Sequence, residues 1–265
     1  MAVAMDDTDL AEFALATARA AGAAILPHFR AQIDVDHKEG GRDYDPVTAA
    51  DRGAEQVIRD AIARAFPEHG IEGEEFGATA GTQPYTWVVD PIDGTRSFIL
   101  GQLHWATLIA LNDGARPRIG VVHQPFVDES FVAWNGIAQW RRGREERRLA
   151  TRRCSQIEHA LVATTDPRHF VTPAQRVAWE AATGGARMVR FGGDCYCYTQ
   201  LAMGLVDVVV ETGLKPWDVQ ALIPLIENAG GVISTWSGAS CQRGGDVLAC
   251  GDPRLHAAIL RRIAG

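Results

Sequence analysis

Trp87-Val88-Val89-Asp90-Pro91-Ile92-Asp93-Gly94-Thr95-Arg96-Ser97-Phe98 is the stretch from which the rest of the chain can be read. An aromatic and β-branched run ends in a carboxylate, which places Asp90 at the C-terminal tip of a buried strand. Pro91 cannot simply continue the strand's hydrogen bonding, and Asp93-Gly94 has the composition of a tight turn. Two carboxylates then lie about one turn apart, with free backbone N–H groups and a hydroxyl just after them. Hard divalent cations take oxygen ligands, and phosphate oxygens accept from N–H donors beside a cation. These residues therefore suit a metal-bound phosphate. Asp-Pro and Asp-Gly also make ordinary turns, so metal binding needs further ligands elsewhere. Phosphatases with an aspartate nucleophile space their two aspartates by two residues, whereas Asp90 and Asp93 are three apart. That spacing favours metal ligation over a phospho-aspartate.

The chain has 265 residues and 46% hydrophobic composition, enough for a substantial core in one large domain or two small ones. A net charge of −7 argues against a nucleic-acid surface, and binding an anionic phosphate then requires local cations such as a metal cluster. Asp6, Asp7, Asp9 and Glu12 crowd the N-terminal region, unlike the basic start of a signal peptide. No apolar run is expected to approach membrane-spanning length. The five cysteines form no Cys-x-x-Cys pair, and Cys195-Tyr196-Cys197 is too closely spaced for an ordinary disulfide. Reduced cysteines in a cytoplasmic protein without a membrane partner are the expectation.

Residues 10–29 are Ala-rich with apolar spacing and predict a helix ending near Pro27. The polar stretch 34–44 predicts a mobile segment. Thr48-Ala49-Ala50-Asp51 opens a second helix with a capping box, and Ala54, Val57, Ile58, Ala61, Ile62, Ala65 and Phe66 form its apolar stripe. Strands at 86–90, 105–111, 119–123 and 130–134, joined by turns such as Asn112-Asp113-Gly114, predict an antiparallel meander. The basic segment 141–153 carries no interleaved aromatic residues and reads as a solvated hairpin and linker. It divides an N-terminal α+β half, 1–145, from a C-terminal α/β half, 146–265. In the second half, strands at 160–164, 188–191, 207–211, 232–235 and 247–250 alternate with helices at 173–182, 194–203, 218–229 and 253–263.

Three further acidic sites can complete a metal cluster. Glu74 and Glu75 sit in a Gly-flanked loop, Asp51 at a helix start where it also caps, and Asp218 at another helix start, after Pro216-Trp217. Each alone has a bland explanation as a solvated loop or a cap. Their occurrence together, in this order around Asp90, changes the odds.

Here the chain resembles the inositol monophosphatase-like family of magnesium-dependent, lithium-sensitive phosphatases. The matching pieces are Asp45-Pro46-Val47-Thr48-Ala49-Ala50-Asp51, Gly73-Glu74-Glu75, Trp87 to Phe98, and Trp217-Asp218 followed by Glu227-Asn228-Ala229-Gly230-Gly231. The resemblance implies a layered α/β/α/β/α sandwich and a homodimer. It places Glu74, Asp90 and the Ile92 carbonyl on a first Mg²⁺, and Asp90, Asp93 and Asp218 on a second. Asp51 and Glu74 serve a third ion or its waters, with Mn²⁺ as a substitute and Li⁺ as an inhibitor. It further implies direct hydrolysis of a small phosphate monoester without a phospho-enzyme. Thr95 with Asp51, or Glu74, positions and deprotonates the water; the amides of Gly94 and Thr95 hold phosphate oxygens. Lys38 is a candidate to close over the site.

The residues around the core motif resemble the histidinol-phosphatase branch: Thr95-Arg96-Ser97-Phe98, Thr107 to Leu111, Phe191-Gly192-Gly193-Asp194-Cys195-Tyr196, and Glu211 to Pro216. Histidinol phosphate carries a cationic amine and an imidazole, so acids beyond the metal ligands favour it. Asp194 and Glu211 occupy positions where the family contacts the non-phosphate part of its substrate, and Arg96 stands with them. Asp194 can equally cap its helix. The chain departs from the branch at Leu103-His104-Trp105-Ala106, where Pro and Gly are usual, at Trp217, often Tyr there, and in a longer, Gly-rich loop between Lys38 and Asp45. The alternatives are a phosphatase of inositol or other small monoesters, and a protein-binding regulator in transcription or ribosome assembly. His28, His37, His104 and His123 read as surface or packing residues, with no zinc-ligand spacing among them.

Overall fold

The structure is a computed structural model that describes residues 5–31, 35–37 and 46–265. Helix α1 (Asp7–Ile25) starts from a capping box in which Asp6 accepts from the amides of Thr8 and Asp9, and a short 3₁₀ turn containing Pro27 follows it. Strands β1 (Val35–His37) and β2 (Pro46–Thr48) pair antiparallel and lead into α2 (Ala49–Ala65). Next come β3 (Gly70–Gly73), β4 (Gly77–Thr79), β5 (Thr86–Asp93), α3 (Thr95–Ile99), β6 (Ala106–Asn112), β7 (Pro117–Gln124), β8 (Glu129–Trp134), β9 (Ile137–Arg142) and β10 (Glu145–Arg148). These strands form an eight-stranded sheet of order β10-β9-β8-β7-β6-β5-β3-β4. The expected meander runs from β5 to β10, and β3 joins parallel to β5.

The remaining elements are β11 (Leu161–Thr164), α4 (Pro173–Thr183), β12 (Met188–Phe191), α5 (Asp194–Ala202), β13 (Val208–Leu214), α6 (Pro216–Val219), α7 (Leu222–Asn228), β14 (Val232–Thr235), β15 (Gly245–Cys250) and α8 (Pro253–Ala264). They build a five-stranded sheet of order β12-β11-β13-β15-β14. Helices α1 and α2 cover one face of the large sheet, α5 to α7 fill the space between the sheets, and α4 and α8 cover the outer face of the small one. This is the α/β/α/β/α layering that the family resemblance implied. Three apolar clusters occupy the three interfaces.

Three local expectations need correction. The strand does not stop at Asp90. It continues through Pro91 to Asp93, with a shift in its register against β6 between Asp90 and Asp93. Pro91 is tolerated because β3 pairs with β5 only as far as Val89, so no neighbour on that side asks for its missing amide hydrogen. The segment expected as one helix from 218 to 229 is two, α6 and α7. Pro224 has no amide hydrogen for the Gln220 carbonyl, and the helix breaks between them. The segment Asp7–His28 has the length and mean hydropathy (1.2) of a membrane span, contrary to expectation. Its apolar face is mostly alanine and packs against α2 and β7. Lys38 and most of 34–44 lie outside the described residues.

Candidate active site

Strand β5 ends in a bend that α3 inherits, and that bend forms one wall of a cleft of about 400 Å³. Glu74, Asp90, Ile92, Asp93, Gly94, Thr95 and Arg96 line it from the first half of the chain; Asp194, Glu211 and Asp218 line it from the second. Among the described residues, every site residue named from the sequence is thus on the cleft wall except Asp51 and Glu75, and Lys38 lies outside them. Asp90, Asp93 and Asp218 each point a carboxylate oxygen into one space, all within 4.8 Å of one another.

The local geometry follows from short-range hydrogen bonds. The Ile92 amide donates to Asp90 Oδ1 (3.0 Å), and the Thr95 hydroxyl donates to the Ile92 carbonyl (3.1 Å). Gly94 turns the chain at φ +88°, where a Cβ would also lie 2.5 Å from the His104 carbonyl oxygen, so glycine is required there. Asp218 accepts from the Lys215 amide (2.7 Å), which fixes its carboxylate at the start of α6. Asp51 is 1% exposed and does not line the cleft. Its Oδ2 accepts both the amide (2.8 Å) and the hydroxyl of Thr48, so it performs the capping role.

Burial pushes Asp90 well above the usual carboxylate range, and the neighbouring charges of Glu74, Asp93 and Asp218 push it further. Asp93 is raised in the same way, by burial first and then by Asp218, Asp194, Glu74 and Glu211. So many acids facing one space destabilise each other unless a cation sits among them. An all-oxygen donor set of carboxylates and one backbone carbonyl fits a hard divalent ion.

The opposite wall is built differently. Asp194 begins α5 with a left-handed backbone, φ +44°, and its Oδ2 accepts from the Ser97 hydroxyl (2.6 Å). The residue at the cap position is Gly193, which makes no side-chain cap, so Asp194 faces the cleft rather than capping its helix. Glu211 is buried, accepts from the Thr165 amide (2.6 Å) and hydroxyl (3.0 Å), and is pushed up to about 8 by burial. Arg96 Nη1 lies 2.9 Å from His169 Nε2. His169, Thr165 and Tyr198 were not singled out from the sequence. Asp166-Pro167-Arg168-His169 reads as an ordinary turn, and nothing local marks its histidine as a cleft residue. All five cysteines are unpaired, and all are buried.

A profile of the inositol monophosphatase family matches residues 6–264. The chain is 37% identical to the bifunctional phosphatase IMPL2, chloroplastic, of Arabidopsis thaliana, over 95% of this chain and 75% of that protein. It is 35% identical to a histidinol-phosphatase of Chlorobaculum parvum, over 86% of each. Its fold superposes on an inositol monophosphatase from Zymomonas mobilis with a TM-score of 0.86 and 37% identity, covering 98% of this chain and 100% of that one. A match along nearly the whole sequence, with the carboxylates assembled in one cleft, leads to a single conclusion: the chain belongs to the inositol monophosphatase family of metal-dependent phosphatases and is a phosphomonoesterase whose acidic cluster could hold a metal ion.

Proposed function

We propose that the substrate is histidinol phosphate and the metal Mg²⁺. Glu74, Asp90, Asp93, Asp218 and the Ile92 carbonyl would hold the ions. Bound Mg²⁺ supplies Lewis acidity, activating a water and stabilising the leaving alkoxide. Thr95 would help to orient the attacking water, and the Glu74 carboxylate would take its proton. The amides of Gly94 and Thr95 receive the phosphate oxygens.

The observation that carries the substrate assignment is Asp194. Its carboxylate lines the same cleft as the acidic cluster and Glu211, accepts from the Ser97 hydroxyl and has His104, His169 and Arg96 as its nearby cationic groups. A polyol would need hydrogen-bond partners there but no net negative charge. A substrate with a cationic amine gains from one. The resemblance to a histidinol-phosphatase supports the same choice. The 37% identity to an inositol monophosphatase favours inositol phosphate as the second reading.

The test is turnover of histidinol phosphate and inositol 1-phosphate side by side with Mg²⁺. A kcat/KM at least about ten-fold higher for histidinol phosphate is expected, corresponding to one charge-assisted contact. Preference for inositol 1-phosphate would overturn the assignment. Hydrolysis of neither would leave another small phosphate monoester as the substrate, and no turnover of any ester would point to a protein-binding regulator.

A further inference from the structure

Glu55 follows Asp51 by one turn of α2 and is completely buried, at 0% exposure. Its Oε2 accepts from the Glu75 amide (2.7 Å) and its Oε1 from the Phe76 amide (3.2 Å). Arg59, one turn further on, donates from Nε to Oε1 (2.7 Å). The same guanidinium reaches the Gly77 carbonyl and the Thr79 hydroxyl, and lies over the Phe76 ring. A lone buried carboxylate is costly. Here an adjacent cation and two amides compensate it, so its charge is already engaged and it is no metal ligand.

The contact is built into the sequence on both sides. A Cβ at position 73 would lie 2.1 Å from Glu55 Oε1, so Gly73 is what lets the carboxylate approach the turn. Glu74 is the next residue. Its own amide is tied to the Val89 carbonyl by a long 3.3 Å bond, and the two amides after it both end on Glu55. The turn between β3 and β4 is thereby anchored to α2 immediately after the residue that enters the cleft.

We propose that Glu55, locked by Arg59, is a positioning residue for the metal centre, holding the turn that aims Glu74 at the ion. The proposal rests on Glu74 being a metal ligand. Partners that orient a ligand in this way are worth about 10- to 100-fold in metal affinity when removed.

Mn²⁺ binding to the metal-free full chain, followed by electron paramagnetic resonance, tests it. Glu55→Gln is expected to bind Mn²⁺ about ten-fold or more weakly, with faster amide hydrogen exchange at Glu75 and Phe76. Arg59→Lys, which keeps the carboxylate and loses the outer tethers, should show a smaller change of the same sign. A purely structural Glu55 would lower the melting temperature and leave Mn²⁺ affinity alone. Wild-type affinity in folded Glu55→Gln overturns the proposal; if that variant does not fold, wild-type affinity in Arg59→Lys does so. Glu74→Gln separates the two levels: it should lose affinity while Glu75 and Phe76 exchange as in the wild type. Wild-type Mn²⁺ binding in Glu74→Gln would instead remove Glu74 as a ligand.

Discussion

Asp93 is held among acids that raise its pKa, by burial and by repulsion from Asp218 and its other neighbours. Its charge therefore costs the metal-free protein stability and is useful only with a cation present. Asp93→Asn is expected to reduce Mg²⁺-dependent turnover by about 10²- to 10³-fold, the scale of losing one preorganised electrostatic group. Without metal, its melting temperature should equal or exceed that of the wild type. Wild-type turnover, or unfolding, would remove Asp93 from the centre. Asp194→Asn keeps an oxygen for the Ser97 hydroxyl but loses the charge. It should lower kcat/KM for histidinol phosphate by about ten-fold or more and leave inositol 1-phosphate nearly unaffected; equal losses on both substrates would contradict recognition of a cation. The candidate site around Asp90 was legible because Asp90, Ile92, Asp93, Gly94 and Thr95 are consecutive or nearly so, and short-range chemistry shows in a short window. Glu55 was not, since a carboxylate on an amphipathic helix reads as its solvated face, and the amides it accepts from are 20 and 21 residues away.

Among elements, the critical join is between the large sheet and the helix pair that brings Asp218. At Gly120 on β7, a Cβ would lie 2.1 Å from the Ala221 carbonyl oxygen and 2.8 Å from Pro224 Cγ. The backbone between α6 and α7 therefore rests directly on the strand, three residues past Asp218. Gly120→Ala must push this junction outward. It should destabilise the fold by about 1–3 kcal/mol, as overpacking does, and raise the Mg²⁺ concentration needed for half-maximal activity. Urea unfolding and a Mg²⁺ titration check both; a change in stability alone would mean that α6 moves as a unit without disturbing Asp218. Gly120 was invisible in the sequence, where a glycine in a strand looks like mere weakness. The broken helix was hidden for a related reason. Apolar periodicity runs through Pro224, and only the missing amide hydrogen interrupts it.

Over the whole molecule, buried titratable groups of opposite kinds set how stability follows pH. Burial lowers His123 from 6.5 to about 4 inside the layer between α1 and the large sheet. The unfolded chain then binds a proton that the folded chain refuses between those values, so stability falls as pH drops from about 6.5 towards 4. Glu211 behaves inversely. Its folded pKa is raised from 4.5 to about 8, so its contribution is complete below 4.5 and is lost as pH rises through 8. Each group acts with a slope of about 1.4 kcal/mol per pH unit where only one state is protonated. The two slopes oppose each other between about 4.5 and 6.5 and largely cancel, whereas above 6.5 Glu211 acts without His123. In metal-free protein, stability should therefore decline from pH 6.5 to 8, and Glu211→Gln should flatten that decline by about 1.4 kcal/mol per unit. His123→Gln should leave this upper window unchanged and uncover the decline already below 6.5. Denaturant titrations at half-unit pH steps in the presence of a chelator read both effects. A slope above pH 6.5 that persists undiminished in Glu211→Gln would show that Glu211 enters the folded state already ionised, and the wall it shares with Asp194 would carry a permanent charge.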